Sequence, residues 1–254
     1  RSEALRRLGL NLLDQSGVVG HTDDDLRIMF AGQRVGVTAK TFIDNDAFEL
    51  LGATDADDLA AQFNLLAAKV KAPAFSEDVA AQYFRKIRAW YPTHDSSPQE
   101  TVRKYLPRLV RSGHKAYGFD DLDSFMEPTI ADARSWIEPE MANGLIEVTV
   151  VGDIDKRTVV EEVARTLGAL PERADMKGAY PVMGNVQFPA GEETPYRYYH
   201  KGTPDQALVY VYWPAPDASD PVNRYRMRVL RGLFRNRLSD VLREEMGSTY
   251  SPGT

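Results

Sequence analysis

The chain has 254 residues, 43% hydrophobic and 27% charged, a globular balance that allows a buried core and one or two domains. It contains no cysteine, which excludes disulfides, thiolate metal sites and a cysteine nucleophile. A formal charge of −6 and a pI near 5.3 argue against a general nucleic-acid binder, which needs a basic face, and no apolar run approaches the ~18 residues of a membrane span.

Leu5, Leu8, Leu12 and Leu13 recur at helical spacing, which predicts a helix over Ser2 to Leu13, ended by Gly17 and Gly20. A short helix follows from Asp23 to Phe30, stopped near Gly32. Arg34 to Val37 and Lys40 to Leu51 read as strands. Thr54-Asp55-Ala56-Asp57 opens a helix whose face is Leu59, Phe63, Leu66 and Val70, closed by Pro73. Ser76 caps the next helix, which runs to Trp90. Ser97-Pro98-Gln99-Glu100 combines a serine cap, a proline at the first helical position and a glutamate placed for a capping box. Thr129 with Asp132 opens another helix, expected to end near Trp136.

Leu145 to Val151 is a nearly continuous apolar strand, followed by Gly152-Asp153-Ile154-Asp155 and an amphipathic helix from Arg157 to Leu167. Pro171 to Thr194 has little periodicity, with three prolines and three glycines, and reads as a linker. Two strands, Tyr196 to His200 and Ala207 to Trp213, precede a long helical region from Pro221 to about Met246, ended by Gly247. The expected fold class is α+β, an antiparallel or mixed sheet layered with helices. The expected organisation is an α/β domain over 1–172, a linker over 173–194 and the start of a second domain over 195–254. The chain opens on a helix and stops in mid-loop, so a piece of a longer protein is expected.

Self-sufficient chemistry is not found. His21, His94, His114 and His200 lack a second histidine three to five residues away, the spacing that puts two imidazoles on one helical face. Each reads as a surface or hydrogen-bonded histidine. His21 with Asp23, Asp24 and Asp25 reads as a solvated acidic helix start rather than a metal site. Ser16-Gly17-Val18-Val19-Gly20 lacks the lysine and hydroxyl residue of a phosphate loop. Gly152-Asp153-Ile154-Asp155 has one glycine and two repelling aspartates, so it reads as a tight turn with Asp155 as a helix cap.

Four stretches, in order, resemble the insulinase/pitrilysin family of zinc peptidases. They are GATDADDLAAQFNLLAAKVKAPAF, VVGDIDKRTVVEEVARTLGALPER, GTPDQALVYVYW from Gly202 to Trp213, and RLSDVLREEMGSTYSP from Arg237 to Pro252. The last resembles the family signature Arg-Glu-x-x-Gly-x-x-Tyr-Ser. An active half in this family carries His-x-x-Glu-His on its early helix. Here that helix, RSEALRRLGLNLLDQ, has no histidine, and its only carboxylates are Glu3 and Asp14. A hydrolytic zinc needs three protein ligands, so the first domain is expected to keep the catalytic fold without its zinc site.

The resemblance therefore implies the zinc-free half of a two-half zinc metalloendopeptidase, inactive alone. It implies zinc on a catalytic half, joined in cis or paired as a separate subunit, and unfolded peptides as substrates. It implies that Arg243 and Tyr250 reach the site on the catalytic half, bind substrate backbone and help polarise the scissile carbonyl. A guanidinium and a phenol hydroxyl suit that task without ligating metal. A surface arginine and a packed tyrosine at a helix end are the plainer alternative, but the match to the signature favours the functional reading. The alternatives are a purely structural subunit of the same fold and a stand-alone peptide-binding protein. The resemblance favours the periplasm over the cytoplasm.

Overall fold

A computed structural model describes residues 2–42, 47–119, 121–173, 187–191, 194–216 and 220–245. These form a mixed, helix-rich fold with a small antiparallel sheet. The chain divides into two compact units, Arg1–Leu208 and Val209–Thr254. Most of the segment expected as a linker, 173–194, lies outside the described residues.

In the first unit the early helix, α1, runs Glu3–Gln15 with the Ser2 hydroxyl accepting from the Leu5 N–H. Ala4, Leu8, Leu12 and Leu13 are fully buried, because leucines at this spacing form one apolar stripe. Packed into the same core are α4 (Glu77–Trp90), the short α6 (Leu122–Met126) and α7 (Ile130–Asn143). They contribute Ala80, Tyr83, Ile87, Phe125, Ala133, Ile137 and Met141 to it. The α1–α7 approach requires Gly9: a Cβ there would lie 2.9 Å from Cζ3 of Trp136.

Between α1 and α4 lie α2 (Asp23–Met29), β1 (Thr38–Phe42), β2 (Ala47–Leu51) and α3 (Leu59–Lys71). The two strands pair antiparallel, Ala39 opposite Leu50 and Thr41 opposite Phe48. Phe48 packs on Trp136 with ring centroids 5.0 Å apart, which fixes the sheet against the helices. Lys69 of α3 is 2% exposed, and its ammonium donates to the carbonyls of Leu13 and Asp14 at the end of α1. A cation at a helix C-terminus satisfies orphan carbonyls and complements the dipole.

The caps follow the sequence closely. Ser76 Oγ accepts from Val79, Thr129 and Asp132 form a reciprocal capping box, and Asp155 accepts from Thr158 at the start of α8 (Lys156–Arg165). Ser97 caps α5 (Pro98–Leu109), but the expected capping box is incomplete. Glu100 turns instead to His94 and Arg103. Thr54 is not the cap of α3; Asp58 holds that position. Helix α7 continues past Trp136 to Asn143, through Pro139, because Ile137 and Met141 extend its buried face.

Several expected strands are corrected. The Lys40–Leu51 run is not one strand but supplies parts of two paired strands. Arg34–Val37 is not a strand, since side chains take its amides: Arg34 N–H donates to Asp58 and Gly36 N–H to Gln62. Tyr196–His200 is likewise held by helices. Tyr198 stacks on Tyr105 at 4.4 Å, and the next residue, Lys201, donates its N–H to the Asp95 carbonyl (2.6 Å). A Cβ on Gly202 would collide with the Ser96 carbonyl oxygen, so only glycine fits this docking. Leu145–Val151 and Ala207–Trp213 have no ladder partner among the described residues, and Val151 is 92% exposed. An apolar run forms a strand only where a neighbouring strand accepts its backbone bonds.

The second unit is dominated by α9, Pro221–Ser239, capped by Asp220 with proline at the start. Its continuation, Asp240–Glu245, is a π-helical turn. No described helix is long and apolar enough to cross a membrane.

Candidate functional site

The residues expected to touch substrate sit at the end of α9. Arg243 lies in the π-helical turn Asp240–Glu245, so the long helix carries the backbone of the signature up to that point. The Arg243 side chain, Gly247 and Tyr250 lie outside the described residues.

The expected ligand helix is α1, and both of its carboxylates are already occupied. Glu3, 4% exposed, accepts from Nε (2.8 Å) and Nη2 (2.6 Å) of Arg6 and from Nε (2.6 Å) of Arg7. Asp14 accepts from the Ala39 N–H at 2.6 Å, tying α1 to β1. The core-facing positions of α1 are aliphatic. Among the described residues no group of three His, Asp or Glu side chains is arranged to hold a metal ion. Zinc therefore does not fit this helix: one carboxylate is neutralised by two guanidinium groups and no imidazole is present.

Around Arg7 the structure assembles a polar cluster that sequence reasoning missed. Its guanidinium lies over Trp90 (5.0 Å) and Phe119 (4.7 Å), a cation–π arrangement. Beyond those rings is His94, 2% exposed, packed edge-on to Trp90 at 4.1 Å and against Phe119 at 4.5 Å. His94 Nδ1 is 3.1 Å from Glu100 Oε2. A carboxylate only accepts, so Nδ1 carries the proton, and Nε2 is left buried without a partner. Burial pushes the His94 pKa down, opposed by Glu100 and assisted by Arg7 and Lys104. Burial likewise pushes the Tyr83 phenol up; its hydroxyl has no partner. The signal for this cluster was the Glu3-x-x-Arg6-Arg7 spacing, which places two cations one turn from one carboxylate.

The other histidines are separate from it. His21 is exposed beside Val18. Nδ1 of His114 and of His200 accept from the backbone N–H of Ala116 and Gly202. The four stand on different parts of the chain and form no common site.

Comparison with known families now bears on the chain. Residues 129–254 match the peptidase M16 inactive domain. The match covers 126 of the chain's 254 residues. The match starts at Thr129, the capping residue of α7, and spans α8, α9 and the Arg243–Tyr250 stretch, in line with the insulinase/pitrilysin resemblance. Solved structures share the fold. The periplasmic protease PqqL from Escherichia coli is 18% identical with a TM-score of 0.61, covering 99% of this chain and 28% of that one. The ferredoxin protease FusC, in complex with Arabidopsis ferredoxin, is 17% identical with a TM-score of 0.53, covering 70% and 21%. A peptidase M16 inactive domain from Pseudomonas fluorescens is 18% identical with a TM-score of 0.50, covering 74% and 43%. The chain thus spans less than half the length of each. No curated protein matches it.

Proposed function

We propose that this chain is the zinc-free half of a two-half M16 zinc metalloendopeptidase, assisting substrate binding and amide hydrolysis at a catalytic half. The observation that carries the reading is the inactive-domain match over 129–254, which contains Arg243 and Tyr250 at the spacing of the family signature. Zinc on the catalytic half, in cis or on a separate subunit, supplies the activated water. This chain supplies a guanidinium and a phenol hydroxyl, donors that hold a peptide carbonyl and stabilise the oxyanion that develops on it. The substrates are unfolded peptides. The proposed compartment is the periplasm, supported by the likeness to PqqL, a periplasmic protease.

Reconstitution tests this. With the zinc-bearing half present, Arg243→Ala and Tyr250→Phe are each expected to lower kcat/KM by roughly a hundredfold, with the zinc content of that half unchanged. Full activity in both variants, or in the catalytic half alone, would sink the assisting role.

A further inference from the structure

The stretch Tyr196–Gln206 lies just before the second unit in sequence and is pinned to the corner between the single turn Tyr91–Asp95 and α5. Four contacts hold it there. Tyr198 stacks on Tyr105, and the Lys201 N–H donates to the Asp95 carbonyl. The Lys201 ammonium lies 3.6 Å from the Asp95 carboxylate, and Gly202 seats against the Ser96 carbonyl. The loop also closes on itself. His200 Nδ1 accepts from the Gly202 N–H, so Nε2 carries the proton and donates to the Gln206 carbonyl at 2.9 Å.

These anchors are of a weak kind. Among the described residues, none of Tyr196–Gln206 joins either hydrophobic core of the first unit. The Lys201 side chain is 83% exposed, and water screens such a pair. Opening strands no charge, because Asp95 keeps the Lys104 ammonium at 3.1 Å. A segment without buried apolar contacts opens at far lower cost than a core element. Gly202 makes closure selective: a Cβ there would lie 2.2 Å from the Ser96 carbonyl oxygen, so any other residue holds the seat open.

We propose that Tyr196–Gln206 is a reversible clasp that sets the length of the tether to the second unit. With the clasp shut, the last residue pinned to the helices is Gly202, seven residues before Val209, a reach of about 24 Å at full extension. Released back to Tyr196, the tether is thirteen residues, about 44 Å at full extension. The second unit, which carries the Arg243–Tyr250 stretch, thus has two ranges of motion available to it. The clasp is built from contacts within the first unit alone, so it stands apart from the peptide-site reading and holds whatever that stretch does.

Trypsin digestion of the folded chain tests the clasp, since Arg197 lies inside it and native cleavage follows the open population. Tyr105→Ala and Gly202→Ala are each expected to raise the initial cleavage rate at Arg197 by about fivefold or more, with cleavage at Arg85 and Lys86 of α4 unchanged. Tether length is read by energy transfer between dyes on Ala81→Cys in α4 and Asn236→Cys in α9, the chain having no cysteine of its own. The spread of transfer distances is expected to widen about 1.4-fold in Gly202→Ala, following the square root of tether length. Parental cleavage rates in both variants overturn the clasp. So does an equal rise at Arg85 and Lys86, which marks general unfolding. Faster cleavage at Arg197 with an unchanged distance spread overturns the tether role.

Discussion

The Nδ1–H of His94 already has its acceptor in Glu100, while Nε2 is buried without a partner in a ring packed on Trp90 and Phe119, over which Arg7 lies. A second proton would bury a donor without a partner next to a cation, which is why the folded pKa lies below the ordinary value of 6.5. The unfolded chain takes up that proton near pH 6.5 and the folded one resists, so stability falls as pH drops from about 6.5 through the folded value. His94→Asn is expected to flatten the urea midpoint between roughly pH 5 and 7 relative to the parent; identical pH profiles would refute the role. Asp25 and Asp132 act in a separate window. Their caps hold them below 3.8, so their contribution is present above that value and lost below it. At the other end of the cluster, Glu3→Gln leaves Arg6 and Arg7 without their anion. It is expected to cost about 1–3 kcal/mol in urea unfolding, while a loss under about 0.3 kcal/mol would mark the clamp as solvent-screened.

At the scale of elements, stability concentrates in α1 and the helices around it. Leu8→Ala, in a fully buried position touching the main core, is expected to cost about 2–5 kcal/mol. An effect below about 1 kcal/mol would show that the core closes over the gap. The same scale shows what could be read from residues alone. Ser76, Thr129 and Asp155 act on amides three residues away, so their helices were legible from local spacing. The backbone of Arg34–Gly36 is claimed by Asp58 and Gln62, and Lys201 by Asp95 across the chain. Those partners are distant in sequence, and without them the segments looked like strands. Glu100 had two competing uses, and the non-local one, His94, took it from the cap. The Arg243–Tyr250 proposal stands on family resemblance alone, because nothing in its spacing distinguishes it from an ordinary helix end.

At the scale of the whole molecule, a chain proposed as the zinc-free half should be indifferent to zinc. A site with a Kd a hundredfold below the added zinc would raise stability by about 2.7 kcal/mol. The urea midpoint is expected to stay fixed on adding zinc or a chelator, and a shift of that size would restore a metal site to this chain. The burial of Lys69 supplies a further use of the molecule. Its amine is sealed between α3 and the end of α1, where it donates to two carbonyls and is 2% exposed. Acylating reagents therefore reach it only when that contact opens, while exposed lysines such as Lys201 react at once. Peptide mapping of Lys69 labelling against time reads the opening rate of the α1–α3 contact directly, making one internal amine a clock for the motion of the core.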